Sequence, residues 1–176
     1  ADHHAVLDRA RVLLADDHSL VRAGVRRVIE AVAHLECVGE TGSGAETLRF
    51  LRQNPPDVLI LDLNMPDGDG FSVLREASSV APDTRIVVLT MHAQPEYVTR
   101  AVREGANGYL LKDLAVQDLV AAIDSVMAGG SFFSERAQRA LAESVRSGGS
   151  TDSPLARLTG REREVLAAVA RGMTTK

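Results

Sequence analysis

The sequence predicts an α/β fold: a doubly wound, five-stranded parallel sheet, followed by a linker and the start of an all-α unit. Three observations carry this expectation. Short aliphatic runs recur between residues 10 and 128, each near strand length and mostly apolar on both faces, as strands covered on two sides require. Segments of helical period lie between them. Breakers such as "NPPD", "APD" and "REGANG" separate the units. Regular alternation of strand and helix then leaves a parallel sheet, covered on both faces, as the arrangement that buries every apolar surface.

The elements follow in order behind an N-terminal tail of residues 1–9. "RVLLA" (11–15) is the first strand, and Val21, Val25, Val28, Ile29 and Val32 then form a stripe at helical spacing. "ECVGE" (36–40) is the second strand. The closely spaced glycines of "GETGSGAE" (39–46) read as a simple loop, because Thr47 stands where a dinucleotide fingerprint would continue. "DVLIL" (57–61), "RIVVL" (85–89) and "GYLL" (108–111) supply the third, fourth and fifth strands, and Val116, Leu119, Val120, Ile123, Val126 and Met127 mark the last helix of the sheet domain.

After "MAGG" (127–130) the pattern fails. Residues 129–154, rich in Gly and Ser at both ends, read as an interdomain linker with one short helix around Arg136 to Arg146. A new helix opens in "LTGREREVLAAVARG": Thr159 and Glu162 form a capping box, Val165, Leu166 and Val169 give an apolar face, and Gly172 closes it. The expected domains are thus 10–128 and an incomplete one at 155–176, with the chain stopping at Lys176 before a partner helix.

Composition narrows the function classes. With 176 residues and 45% apolar content the chain can bury a sizeable core without covalent staples. A single cysteine, Cys37, excludes an internal disulfide framework and a multi-thiolate zinc site. The N-terminus lacks a basic stretch followed by an apolar core, and no apolar run approaches membrane-spanning length, so a cytoplasmic location away from membranes is expected. His3 and His4 have the look of a processing or tag remnant. Residues 1–128 carry 12 basic and 19 acidic side chains, and residues 129–176 carry 8 and 5. An acidic body therefore bears a mildly basic tail.

Ligands of doubly wound sheets bind beyond the carboxyl ends of the strands. Those positions hold Asp16 and Asp17 after the first strand, Asp62 after the third, Thr90 at the end of the fourth and Lys112 after the fifth. Three converging carboxylates repel one another unless a cation neutralises them, and an all-oxygen set points to a hard ion, Mg²⁺. Lys112 and Lys176 are the only lysines in an arginine-biased chain, so a compact ammonium at a strand end is notable. His18, beside the acidic pair, reads as a helix-start residue and not as a ligand. The stretch "ILDLNMPDGDG" (60–70) fails as a calcium loop: Pro66 holds the fifth position, Asp67 the place of the turn glycine, and Val73 that of the closing Glu. Asp67 and Asp69 are then expected to be solvated turn residues.

"LLADDH", "LILDLNMPDGDG", "VVLTMHA" and "GYLLKD", in this order and spacing, resemble the CheY-like receiver domain of bacterial two-component response regulators. "LTGREREVLAAVARGMTTK" resembles the opening of a LuxR-type helix-turn-helix, and the combination resembles the NarL/FixJ subfamily. The resemblance implies that Asp62 is the phosphoacceptor for a sensor histidine kinase. It implies a Mg²⁺ site made by Asp17, Asp62 and the backbone carbonyl of Asn64, with Asp16 acting through water. Lys112 would pair with the phosphoryl oxygens, the Thr90 hydroxyl would swing toward them, and Tyr109 would follow as the aromatic switch.

A regulator of this kind is expected to be no enzyme in its own right, beyond assisting its own phosphorylation and slow dephosphorylation. Its implied partners are the kinase, promoter DNA for the intact protein, and a second copy in a homodimer. Two departures stand out. Asp113 follows Lys112 where family members often carry a proline in a cis bond, and "GMTTK" ends the chain where the family continues to its recognition helix. Two other functions use similar residues. An aspartate-nucleophile phosphohydrolase needs a second acid, often two residues on, and that position is Asn64. A pseudo-receiver acting without phosphorylation has no need for the full acidic set. The linker is long enough for the basic segment to fold back onto the acidic body, so phosphorylation is expected to release it.

Overall fold

The computed structural model describes residues 9–66, 69–113 and 116–148. Strand and helix alternate through β1 (Ala10–Ala15), α1 (Ser19–Glu30), β2 (Leu35–Thr41), α2 (Gly44–Gln53), β3 (Val58–Leu61) and α3 (Gly70–Val80). They continue through β4 (Arg85–Thr90), α4 (Pro95–Glu104), β5 (Gly108–Leu111), α5 (Val116–Met127), β6 (Phe132–Phe133) and α6 (Glu135–Gly148). The sheet is parallel throughout, in the order β2-β1-β3-β4-β5-β6. No helix among the described residues is long and apolar enough to cross a membrane.

The period-2 geometry of the strands divides the core. Leu13 and Ala15 of β1 and Leu59 and Leu61 of β3 face one side, with α2, α3, α4 and α6. Val12, Leu14, Val58 and Ile60 face the other, where Val25 and Ile29 of α1 and Leu119, Ile123 and Val126 of α5 cover them. Both layers are needed, because strands apolar on two faces have no solvated side. Each leucine buried in this way contributes about 2 kcal/mol.

The sheet has six strands, against the five expected. A two-residue strand is too short to show either period, and the flanking Gly and Ser residues made "SFFS" look like linker. Phe132 and Phe133 pair with Gly108 and Tyr109 of β5, and Phe133 is buried in the core. Residues 129–148 thus contain β6 and α6, and Ala137, Ala140 and Leu141 of α6 are buried in the same cluster as α4. Thr99 of α4 donates its hydroxyl to Ser144 Oγ at 3.0 Å, and Ser134 Oγ caps α6 by accepting the Ala137 amide at 3.2 Å. The capping box at Thr159 and Glu162 and the helix around Val165, Leu166 and Val169 lie outside the described residues.

Local signals set the other helix starts. Ser43 accepts the Glu46 amide at the start of α2, so the expected loop at 39–46 shrinks to Gly42 and Ser43 between β2 and α2. Asp69, expected as a solvated turn residue, is half exposed and also caps α3 by accepting the Phe71 amide at 3.0 Å. A short carboxylate just before a helix finds free amide donors while its other oxygen stays in water. Asp67 lies outside the described residues. Gly105, at φ +121°, ends α4 in a conformation that L side chains rarely adopt.

Candidate functional site

Parallel pairing brings four strand ends to one edge of the sheet. Ala15 is paired with Leu61, and the Asp62 amide donates to the Ala15 carbonyl at 2.9 Å, which sets Asp16 and Asp62 side by side. Thr90 pairs with Leu111, and the Lys112 amide donates to the Thr90 carbonyl at 2.9 Å. The expected residues therefore meet because each follows its strand by at most two positions.

Asp62 is fully buried. Its Oδ1 accepts the Asn64 amide at 2.9 Å and its Oδ2 accepts Lys112 Nζ at 3.0 Å, so both oxygens are held. Burial pushes the Asp62 carboxyl above the ordinary carboxylate range; the Asn64 amide and Lys112 oppose this, and the neighbouring Asp16 charge adds to it. Lys112 Nζ also lies 3.1 Å from Asp16 Oδ2. Asp16 is buried too, and its Oδ1 accepts the His18 amide at 2.8 Å, while Oδ2 has no hydrogen-bond partner beyond that ion pair. Asp17 stands at the mouth of the cluster, about one-third exposed.

Thr90 is buried, and its Oγ1 accepts the Asn64 side-chain amide at 3.1 Å and faces the His92 amide at 3.4 Å. Tyr109 is fully buried and donates its hydroxyl to the His92 carbonyl at 2.5 Å; burial pushes its phenol well above the usual range. Beside Thr90 a cleft of about 340 Å³ opens, with Asn64, Met65, Phe71, His92 and Tyr97 among its walls. Rings stack along it, Phe71 on Tyr97 at 5.7 Å and Tyr97 on His92 at 5.3 Å between centroids. Arg100 lies over Phe71 and reaches Asp69. No cis peptide bond occurs among the described residues, the Lys112–Asp113 bond included.

Arg22 escaped the sequence reading, and His18 was read only as a helix-start residue beside the acidic pair. Arg22 Nη1 donates to the Asp16 carbonyl at 3.1 Å, fixing the turn that carries the acidic pair. The His18 ring lies among the carboxylates, with Nδ1 3.1 Å from Asp16, 3.3 Å from Asp17 and 3.7 Å from Asp62. Its position directly after the two acids was the available signal. Oxygen atoms of Asp16, Asp17 and Asp62 and this nitrogen all lie within 4.8 Å of one another. Such a set, with one buried oxygen held only by the Lys112 ion pair, fits a hard divalent cation.

Comparison with known proteins agrees with this geometry. The response regulator receiver domain family matches residues 12–124. The DNA-binding transcriptional activator DevR/DosR of Mycobacterium tuberculosis is 37% identical over 166 residues, covering 94% of this chain and 76% of that protein. The nitrate/nitrite response regulator NarL of Escherichia coli is 36% identical over 168 residues, covering 95% of this chain and 78% of that protein. A LuxR-family two-component response regulator from Aurantimonas superposes with a TM-score of 0.73 at 33% identity, over 77% of this chain and 96% of that one. An acidic cluster such as Asp16, Asp17 and Asp62 is typical of a receiver's Mg²⁺ site. By fold, acidic pocket and likeness, the chain belongs to the response regulator receiver family, among its NarL/FixJ, LuxR-type members, and is a phosphoacceptor rather than an enzyme in the ordinary sense.

Proposed function

We propose that Asp62 accepts a phosphoryl group from a phosphohistidine of a sensor kinase and that this switches transcription through the C-terminal segment. The observation that carries the reading is the buried Asp62 carboxylate held between the Asn64 amide and Lys112, beside Asp16 and Asp17. In the transfer, a bond forms from an Asp62 oxygen to phosphorus as the bond from phosphorus to the donor imidazole breaks, its electron pair staying on nitrogen. The Asn64 amide and Lys112 orient the attacking carboxylate. Lys112 then remains as the counter-charge to the new phosphoryl oxygens. Mg²⁺ would be held by Asp17, Asp62 and the Asn64 carbonyl, with Asp16 through water, and when bound it supplies charge neutralisation for the transferring group.

Thr90 and Tyr109 carry the response in this reading. The Thr90 hydroxyl leaves the Asn64 side chain for a phosphoryl oxygen, and Tyr109 adjusts its hydrogen bond to the segment at His92. The output is read by residues 155–176 as the opening of a helix-turn-helix, joined to the receiver at 10–128 through residues 129–154, of which β6 and α6 pack on the sheet. DNA binding by the relative DevR/DosR supports this assignment. Promoter DNA, a sensor histidine kinase and a second copy are the proposed partners, in the cytoplasm. Asn64, an amide two residues after Asp62, offers no proton acceptor for the hydrolase alternative.

Intact mass after incubation with Mg²⁺ and acetyl phosphate tests the assignment. One base-labile phosphoryl adduct is expected on wild type, absent from Asp62→Ala and absent with EDTA. A folded, Mg²⁺-binding protein that takes no adduct from acetyl phosphate or from phosphorylated kinase would instead be a pseudo-receiver.

A further inference from the structure

His18 occupies the N-cap position of α1, yet its side chain makes no capping hydrogen bond. The ring turns the other way, into the acidic cluster. Its Nδ1 lies 2.9 Å from Lys112 Nζ and 3.1, 3.3 and 3.7 Å from carboxylate oxygens of Asp16, Asp17 and Asp62. An ammonium can only donate and a carboxylate only accept, so Nδ1 meets Asp16 with its N–H in one tautomer and Lys112 with its lone pair in the other, and the second is the one a cation selects. In that tautomer the lone pair faces three acceptor carboxylates, and Lys112 is the donor that reaches Asp16, Asp62 and His18. Asp16 Oδ2, buried, has the Lys112 ion pair and no hydrogen bond besides. Four electron-pair donors aimed at a common centre are the arrangement a cation resolves.

We propose that His18, through Nδ1, is a ligand of the divalent cation and tilts the site's selectivity from Mg²⁺ toward Mn²⁺ and Co²⁺. The proposal rests on the reading of this cluster as a cation site. The four candidate atoms fall within 4.8 Å of one another. Adjacent ligands of an octahedral ion with bonds of about 2.1 Å stand about 3.0 Å apart and opposite ones about 4.2 Å, so Nδ1 at 3.1, 3.3 and 3.7 Å from the carboxylate oxygens needs only a small movement to close. A half-exposed ring at a helix start can make that movement. Imidazole suits transition ions, whereas Mg²⁺ holds to carboxylate, carbonyl and water oxygens, so replacing a water by Nδ1 strengthens the former and leaves the latter almost unchanged.

The test is titration of the full chain with MgCl₂, MnCl₂ and CoCl₂, by calorimetry, by Mn²⁺ electron paramagnetic resonance and by the visible bands of Co²⁺. Wild type is compared with His18→Gln and His18→Ala, each also on a His3→Ala/His4→Ala background to remove the other imidazole pair. Loss of the ligand is expected to weaken Mn²⁺ and Co²⁺ roughly tenfold, to shift the Co²⁺ bands, and to move Mg²⁺ affinity less than about twofold. Equal weakening of all three ions overturns the proposal. So does a uniform gain in affinity, which would make His18 an internal counter-ion that competes with the metal. Failure of wild type to bind any of the three overturns the cation site itself, and this inference with it.

Discussion

Tyr109 donates its hydroxyl to the His92 carbonyl at 2.5 Å, tying the middle of β5 to the segment just beyond Thr90. The Tyr109 carbonyl in turn accepts the Ser134 amide at 3.0 Å, at the cap of α6. One residue therefore touches both the surroundings of the acidic pocket and the start of the C-terminal segment. Tyr109→Phe keeps the packing and removes the first tie. We expect it to lower stability by about 1 kcal/mol in urea unfolding and to speed hydrogen exchange at residues 90–94. Unchanged exchange there would mean that the hydroxyl does not hold this segment.

Burial raises the Asp62 carboxyl above its unfolded value. Such a group contributes stability that is fully present below the ordinary carboxylate range and is lost as pH rises through the elevated folded value. At neutral pH the wild type has lost that contribution, and Asp62→Asn, which carries no charge, has not. The variant should therefore melt above wild type at neutral pH in EDTA, with the gap closing as pH falls toward about 4. A gap that does not change with pH would show that ionisation is not its cause.

A methyl group at Gly70 would lie 2.0 Å from the Leu63 carbonyl oxygen, a contact that only main-chain movement can relieve. Gly70→Ala should shift the turn after Asp62, cost about 1–3 kcal/mol, and reduce labelling by acetyl phosphate. Full labelling with unchanged stability would count against so tight an approach.

Leu141 of α6 is only 3% exposed and belongs to the same cluster as Val98 and Ala101 of α4. If α6 unfolds together with the sheet, Leu141→Ala should destabilise the whole domain by about 2–5 kcal/mol. An effect confined to exchange within residues 135–148 would make α6 a separately opening unit.

Much of this was legible from sequence where one residue pattern answers to one cause. "GYLL" coincides with β5, since an aliphatic run between breakers leaves little choice of boundary. Asp16, Asp62 and Lys112 could be set at one edge because each stands directly behind such a run, and parallel pairing aligns the ends. Phe132–Phe133 was illegible, because two residues show no period and their pairing depends on where α5 returns the chain. His18 was legible as a helix-start residue, and it is the N-cap of α1, but the direction of its ring was not, for a related reason. A histidine at a helix start is an ordinary N-terminal residue in one dimension, and only the approach of Lys112, 94 positions away, shows which way its ring turns. Asp69 was legible as turn polarity, and its second role, capping α3, shows only in the fold.

The two residues of β6 also decide how this domain can be isolated. Their neighbours quench the outer rim of β5: Phe132 donates its amide to the Asn107 carbonyl at 3.3 Å and Ser134 to the Tyr109 carbonyl at 3.0 Å. A fragment cut at residue 128 would bare both acceptors, at Asn107 and Tyr109, along the rim of β5, a ready template for a strand from another molecule. Self-association seen in such a fragment would report the cut. The shortest piece on which oligomerisation can be read as a response to phosphorylation therefore runs through residue 148.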